Sequence, residues 1–133
     1  MSRSTERGYT MVELLVVLVL VAVLIVATLR NDGGPRVKES ELGNGAVMEL
    51  KIIFNAENAY RLDKGVYTAA PTATQINALL GVGVQNPRFN YAVAVTPAGF
   101  TATATRTDGT LCRGRSITIN QNGTVAKGCT AWP

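Results

Sequence analysis

The chain has 133 residues, room for one small domain and too little for two independent cores. Hydrophobic residues make up 47% of it, which excludes bulk disorder; the net charge of +4 is too small and too dispersed to mark a nucleic-acid footprint. Histidine is absent and there are 2 cysteines, so the commonest general base is missing and a thiolate metal site would lack ligands.

Residues 1–8 form a polar head carrying Arg3, Glu6 and Arg7 and ending in Gly8. From Leu14 to Leu29 run 16 residues without a charge, among which Thr28 has the one polar side chain. A secretory signal keeps an apolar core of about 7–15 residues ahead of a small-x-small exit. This run is longer, and no such exit precedes Arg30-Asn31-Asp32. Tyr9 to Leu29, at about 1.5 Å per residue, gives roughly 31 Å of helix, matching a bilayer core of about 30 Å. A transmembrane helix is therefore expected over residues 9–29.

Glu13 stands out in that span. An acidic side chain in an apolar helix costs on the order of 3 kcal/mol on insertion scales. It either sits at headgroup level, where the positive end of the helix favours an anion, or awaits a cation from another subunit.

Gly8-Tyr9-Thr10-Met11-Val12-Glu13, followed by a Leu/Val/Ile run, resembles the N-terminus of the type IV pilin family with its class III prepilin leader. Tyr9 stands where phenylalanine is usual and keeps the aromatic ring. The resemblance implies that prepilin peptidase cuts between Gly8 and Tyr9 and N-methylates Tyr9. It implies too that Glu13 pairs with the Tyr9 amine of a neighbouring subunit in a filament. Arg3 and Arg7 flank one side of the span and Arg30, Arg36 and Lys38 the other, so loop charge leaves orientation open. The resemblance places the leader in the cytoplasm and the remaining domain outside it.

Residues 30–36 hold two glycines and a proline, which break or kink a helix; many pilins have a proline near the position of Arg30, whereas this chain has Pro35. The segment reads equally as a stem that unwinds under tension or as a plain linker. An amphipathic helix is expected over residues 37–62, with Val47, Leu50, Ile53 and Phe54 on its buried stripe and Glu49, Lys51 and Glu57 between them. Gly43 and Gly45 weaken its first half, and Gly65 caps its end. Residues 59–67 also look like the pilin junction between helix and head.

The head, residues 63–133, reads as a loop with a short helix near 75–80, followed by strands over 90–96, 100–106, 116–120 and 124–127. Tyr91, Val93 and Val95 alternate with alanines, and Phe100, Ala102 and Ala104 with threonines. Pro97-Ala98-Gly99, Asp108-Gly109 and Asn122-Gly123 mark the turns. A helix on a three- or four-stranded antiparallel sheet is an α+β head, and the resemblance implies the same fold: a long N-terminal membrane and stem helix packed on a small sheet.

Cys112 and Cys129 lie in the part that the resemblance places outside the cytoplasm. Oxidised, they would close a loop worth about 3 kcal/mol; reduced, they would be two separate thiols. Similar pilins close a C-terminal loop this way, so the resemblance implies a disulfide. Asn122-Gly123-Thr124 fits a glycosylation acceptor as well as a turn. Asp32 and Asp108 each directly precede glycine, Asp63 lies two positions before Gly65, and all three lack the spacing of a calcium loop. Arg88, Arg106, Arg113, Arg115 and Lys127 form either a surface patch for DNA or an acidic surface, or scattered solvated charges.

No G-x-S-x-G, P-loop or cofactor pattern supports catalysis, and neither a cofactor nor a metal site is expected. The leading reading is a structural subunit held in the inner membrane, then polymerised with copies of itself and possible minor pilins by the inner-membrane assembly machinery into a surface pilus. Alternatives are a minor pilin, a type II secretion pseudopilin, or a monomeric membrane-anchored binding domain that does not need Glu13. Adhesion, twitching motility and DNA uptake depend on partners that leave no mark on this chain.

Overall fold

In the computed structural model the described residues are 10–30 and 35–133, with side chains described over 10–24 and 36–133; two units divide after residue 34. The first holds α1 (Met11–Arg30), and the second opens with α2 (Pro35–Lys64). Residues 31–34, most of the expected breaker, and the leader 1–8 lie outside the described residues. Of the residues expected in the breaker, Arg30 ends α1 while Pro35 and Arg36 begin α2. Proline suits a first helical position, where its missing N–H would have no intrahelical partner. At the other end α2 runs two residues past the expected 62. Arg61 and Lys64 lie in its last turn, at the negative end of the helix dipole. Gly65 then adopts a φ of +81° and donates its N–H to the Arg61 carbonyl at 2.7 Å, stopping the helix.

A loop leads to α3 (Ala73–Leu80), two residues longer at its start than expected. The Thr72 hydroxyl accepts the Gln75 N–H at 3.3 Å, which supplies an N-cap, and Gly81 closes the helix in the left-handed region. The strands β1 (Phe89–Thr96), β2 (Gly99–Arg106), β3 (Ser116–Asn120) and β4 (Val125–Lys127) form an antiparallel meander in that spatial order. Pro97 and Ala98 turn between the paired Thr96 and Gly99. In the β3–β4 turn, the Asn120 side-chain oxygen accepts the N–H groups of Asn122 and Thr124, and Gly123 takes a φ of +78°. The architecture is α+β.

Side chains on alternate strand positions meet α2. Phe89, Tyr91 and Val93 of β1, Phe100, Ala102 and Ala104 of β2, and Ile117 and Ile119 of β3 are buried in one cluster with Ala46, Leu50 and Ile53. The two β2 alanines leave room for helix side chains in the middle of the sheet, while Phe100 fills its end. Its ring meets Tyr67 edge-on at 4.7 Å, a contact worth about 0.5–1.5 kcal/mol beyond area burial. Val95, expected with Tyr91 and Val93 on the buried face, is 40% exposed beside the Pro97-Ala98 turn, although its cross-strand partner Phe100 is buried.

The helix face also differs from expectation. Ala46, Leu50 and Ile53 are fully buried, while Val47 and Phe54 pack only partly against the core. Glu57, assigned to the polar side, is 0% exposed, because it lies four residues after Ile53 and seven after Leu50 on the same face. One of its carboxylate oxygens accepts the Thr68 N–H at 3.0 Å, and the other is buried without a partner among the described residues. Burial raises the Glu57 pKa above its ordinary 4.5, and the Thr68 bond only partly offsets this.

A raised carboxyl pKa means that the folded head holds this proton more tightly than the unfolded chain does. Stability from this group is therefore present below pH 4.5 and is lost as pH rises toward the raised folded value. Glu57→Gln keeps an acceptor for Thr68 and removes the buried charge. Denaturant midpoints of residues 35–133 should thus decline relative to the variant as pH rises above 4.5. Parallel pH profiles for the two proteins would remove Glu57 as the cause.

Candidate functional site

The described part of the N-terminal segment begins at Thr10. Its hydroxyl accepts the Glu13 N–H at 3.3 Å and its carbonyl accepts the Leu14 N–H at 3.1 Å, so Thr10 caps α1. Glu13 is the third helical residue, in the Thr-x-x-Glu spacing of a capping box, at the end where the helix dipole favours an anion. No ion pair among the described residues includes Glu13. Gly8 and Tyr9, the proposed cleavage site, lie outside the described residues.

From Met11, which is 90% exposed, to Leu24, at 64%, every large apolar side chain described on α1 is exposed. They occupy all sides of the helix, with Glu13 the one ionisable group between Met11 and Leu29. A helix apolar all round is stable only where neighbours or lipid replace water. The stretch with described side chains, residues 11–24, spans about 21 Å at the helical rise. Among the described residues, no helix is long and apolar enough to cross a membrane.

The second polar feature is in the head, and sequence reading missed it. Arg106, counted above among the surface basic residues, is only 3% exposed. Its Nε donates to Glu39 Oε1 at 2.8 Å and its Nη2 to Glu39 Oε2 at 3.4 Å. Its Nη1 donates to the Arg88 carbonyl at 3.2 Å and to Asp108 Oδ1. Burial opposes the guanidinium charge, yet the Glu39 and Asp108 carboxylates outweigh it and hold Arg106 above its ordinary pKa. Trp132 completes the group: its indole N–H donates to Glu39 Oε1 at 3.4 Å and its ring covers Gly43, where any side chain would collide with it. Glu39 and Gly43 lie seven and three residues before Ala46, on the Leu50–Ile53–Glu57 face. Helical period alone could have assigned them there.

The five basic residues therefore do not make one free patch. Arg106 is enclosed and Arg88 pairs with Asp108 at 3.1 Å, whereas Arg113, Arg115 and Lys127 are exposed. The groove bordered by Lys38, Glu41, Leu42, Arg88 and Leu111 has the paired Glu39 and Arg106 in its lining, so those charges are already engaged. Cys112 and Cys129 are joined, with Cα atoms 5.7 Å apart. Among the described residues, no group of three or more His, Cys, Asp or Glu side chains could hold a metal ion.

Arg106→Met leaves the Glu39 carboxylate buried without its main donor and should cost about 3–5 kcal/mol by denaturant unfolding. Adding Glu39→Gln should restore most of that loss. Additive single-variant costs would show that the two side chains do not act as a pair.

Residues 3–29 match the family model of the prokaryotic N-terminal methylation motif, about a fifth of the chain. No curated protein and no solved structure matches the chain. The match covers Gly8, Tyr9, Glu13 and the apolar helix, and it supports a type IV pilin-like or pseudopilin precursor. This N-terminal motif, that of a class III prepilin leader, supports a type IV pilin family member.

Proposed function

We propose that this protein is a structural subunit of a type IV pilus-like filament, assembled through α1 once residues 1–8 have been removed. The observation that carries the reading is the helix itself: apolar on every side, it bears a single carboxylate in its first turn. Prepilin peptidase cuts between Gly8 and Tyr9 and methylates the new terminus of a precursor anchored in the inner membrane. The Glu13 carboxylate of an incoming subunit meets the Tyr9 ammonium of one already placed. In an apolar surrounding either charge alone is costly, and together they are partly compensated. The pair sets axial register, and helix packing supplies the apolar burial that lipid supplied before. The heads then form the outer surface of the filament, which leaves the cell from the inner membrane. A major pilin, a minor pilin and a secretion pseudopilin share this chemistry.

One observation favours a second reading, a monomeric anchored domain: Thr10 and Glu13 already form a local helix start that needs no partner. The two readings separate by variant. The cap uses the Glu13 backbone N–H, so Glu13→Val keeps it, whereas Thr10→Ala removes it and spares the carboxylate.

Glu13→Val should remain membrane-inserted while sheared filaments fall at least about tenfold, since truncating one partner of a desolvated charge pair costs on the order of 2–5 kcal/mol. Thr10→Ala should assemble nearly normally. Mass spectrometry should find an N-terminal methylated Tyr9. An intact Met1 or normal assembly of Glu13→Val would favour the anchored monomer.

A further inference from the structure

We propose that the Cys112–Cys129 disulfide is the pin that seats Trp132 between α2 and the sheet. Oxidation of this thiol pair thereby decides whether the first turns of α2 are docked on the head. The inference concerns residues 35–133 and does not depend on the filament reading.

Two arms leave the disulfide and meet at the buried ion pair. On one side Cys129 opens a short turn, closed by the Trp132 N–H on the Cys129 carbonyl at 3.2 Å. That turn delivers the Trp132 ring to Gly43 and to Phe89, 6.0 Å away between centroids, and its N–H to Glu39. On the other side the Cys112 carbonyl accepts the Arg115 N–H, and the Arg115 carbonyl accepts the Arg106 N–H, both at 2.9 Å. The Gly114 N–H donates to the Arg106 carbonyl, also at 2.9 Å. One sulfur thus belongs to the segment that fixes Arg106, and the other to the segment that shields Glu39.

Residues 128–133 belong to no strand or helix, since β4 ends at Lys127. The Gly128 N–H reaches the Ser116 carbonyl at 2.8 Å, and beyond it the covalent link joins this end of the chain to the connection between β2 and β3. Ordering a chain end costs conformational entropy, and the crosslink removes much of that cost beforehand. Once Trp132 leaves, water reaches Glu39 and Arg106, the effective dielectric rises and their attraction weakens. Gly43 then lies in a helix turn with no ring packed against it.

Forming the bond takes two electrons and two protons from the two thiols. A thiol–disulfide exchange partner accepts them as its own disulfide becomes a dithiol. Dithiothreitol runs the reverse, becoming a cyclic disulfide and leaving two thiols on the protein. Because Trp132 is the single tryptophan of the chain, its emission reports the wedge directly.

The test uses the full chain in detergent micelles, with and without dithiothreitol, followed by tryptophan fluorescence and amide hydrogen exchange. Reduction should shift Trp132 emission to the red and raise its acrylamide quenching several-fold. Exchange over residues 39–46 should rise about tenfold or more while β1 to β3 stay protected. The Cys112→Ser/Cys129→Ser double variant should match the reduced protein. Gly43→Ala, with the disulfide intact, should reproduce the same local opening by displacing the ring. Unchanged emission on reduction would overturn the proposal, as would a released Trp132 with residues 39–46 still protected or a silent Gly43→Ala. Loss of protection across the sheet in the same step would also overturn it, because the bond would then hold the fold as a whole.

Discussion

A carboxylate carried into a protein interior must find a donor there, and α2 takes two of them onto its buried face. Glu39 is met by the fork of Arg106 and by the Trp132 indole, Glu57 by the Thr68 backbone N–H. Between them Ala46, Leu50 and Ile53 supply the apolar contact with the sheet. How α2 lies on β2 and β3 thus depends on a polar contact toward each end of its buried stripe. A helix shifted by one residue would keep some hydrophobic contact but would lose both partners. Polar pairing of this kind contributes more to a unique arrangement than to raw stability, because desolvation consumes much of what the ion pair returns.

The Arg106 network also explains why the head's C-terminus is ordered. Residues 128–133 form no regular element, yet Trp132 is nearly as buried as the sheet core. Its ring occupies the space left by Gly43, a residue that costs a helix interior about 1 kcal/mol relative to alanine when nothing compensates. Here the absent side chain is what admits the indole. The disulfide, the glycine and the ion pair form one connected arrangement, each acting on the surroundings of the next.

The N-terminal unit follows the opposite rule. The head turns its apolar residues inward and finds its partners within the chain. The described side chains of α1 remain outward, so this helix is completed only by lipid or by other protein. The motif matched at residues 3–29 takes in this helix up to Leu29 together with most of the polar head before it. Glu13 has a local place at the positive end of α1 as well as a proposed role between subunits. The former involves its backbone N–H and the latter its carboxylate.

Much of this was legible from residue order. The apolar run and the N-terminal motif depend on local spacing, and so do the Gly65 stop, the Asn122-Gly123 turn and the alternation in β1 and β2. Each involves neighbours within a few positions, which periodicity and turn chemistry express directly. The destination of Arg106 was not legible, since its buried carboxylate partner Glu39 lies 67 positions back, and Trp132, which also donates to Glu39, lies 93 positions on from Glu39. The burial of Glu57 and the exposure of Val95 were missed for a related reason. A charge on a helix reads as solvated and a valine in a strand as buried until the opposing surface is known. Sequence alone determined which segments fold locally and what the N-terminal helix requires of its surroundings. Only the tertiary structure decided which charges go inside, because that depends on a donor arriving from a distant part of the chain.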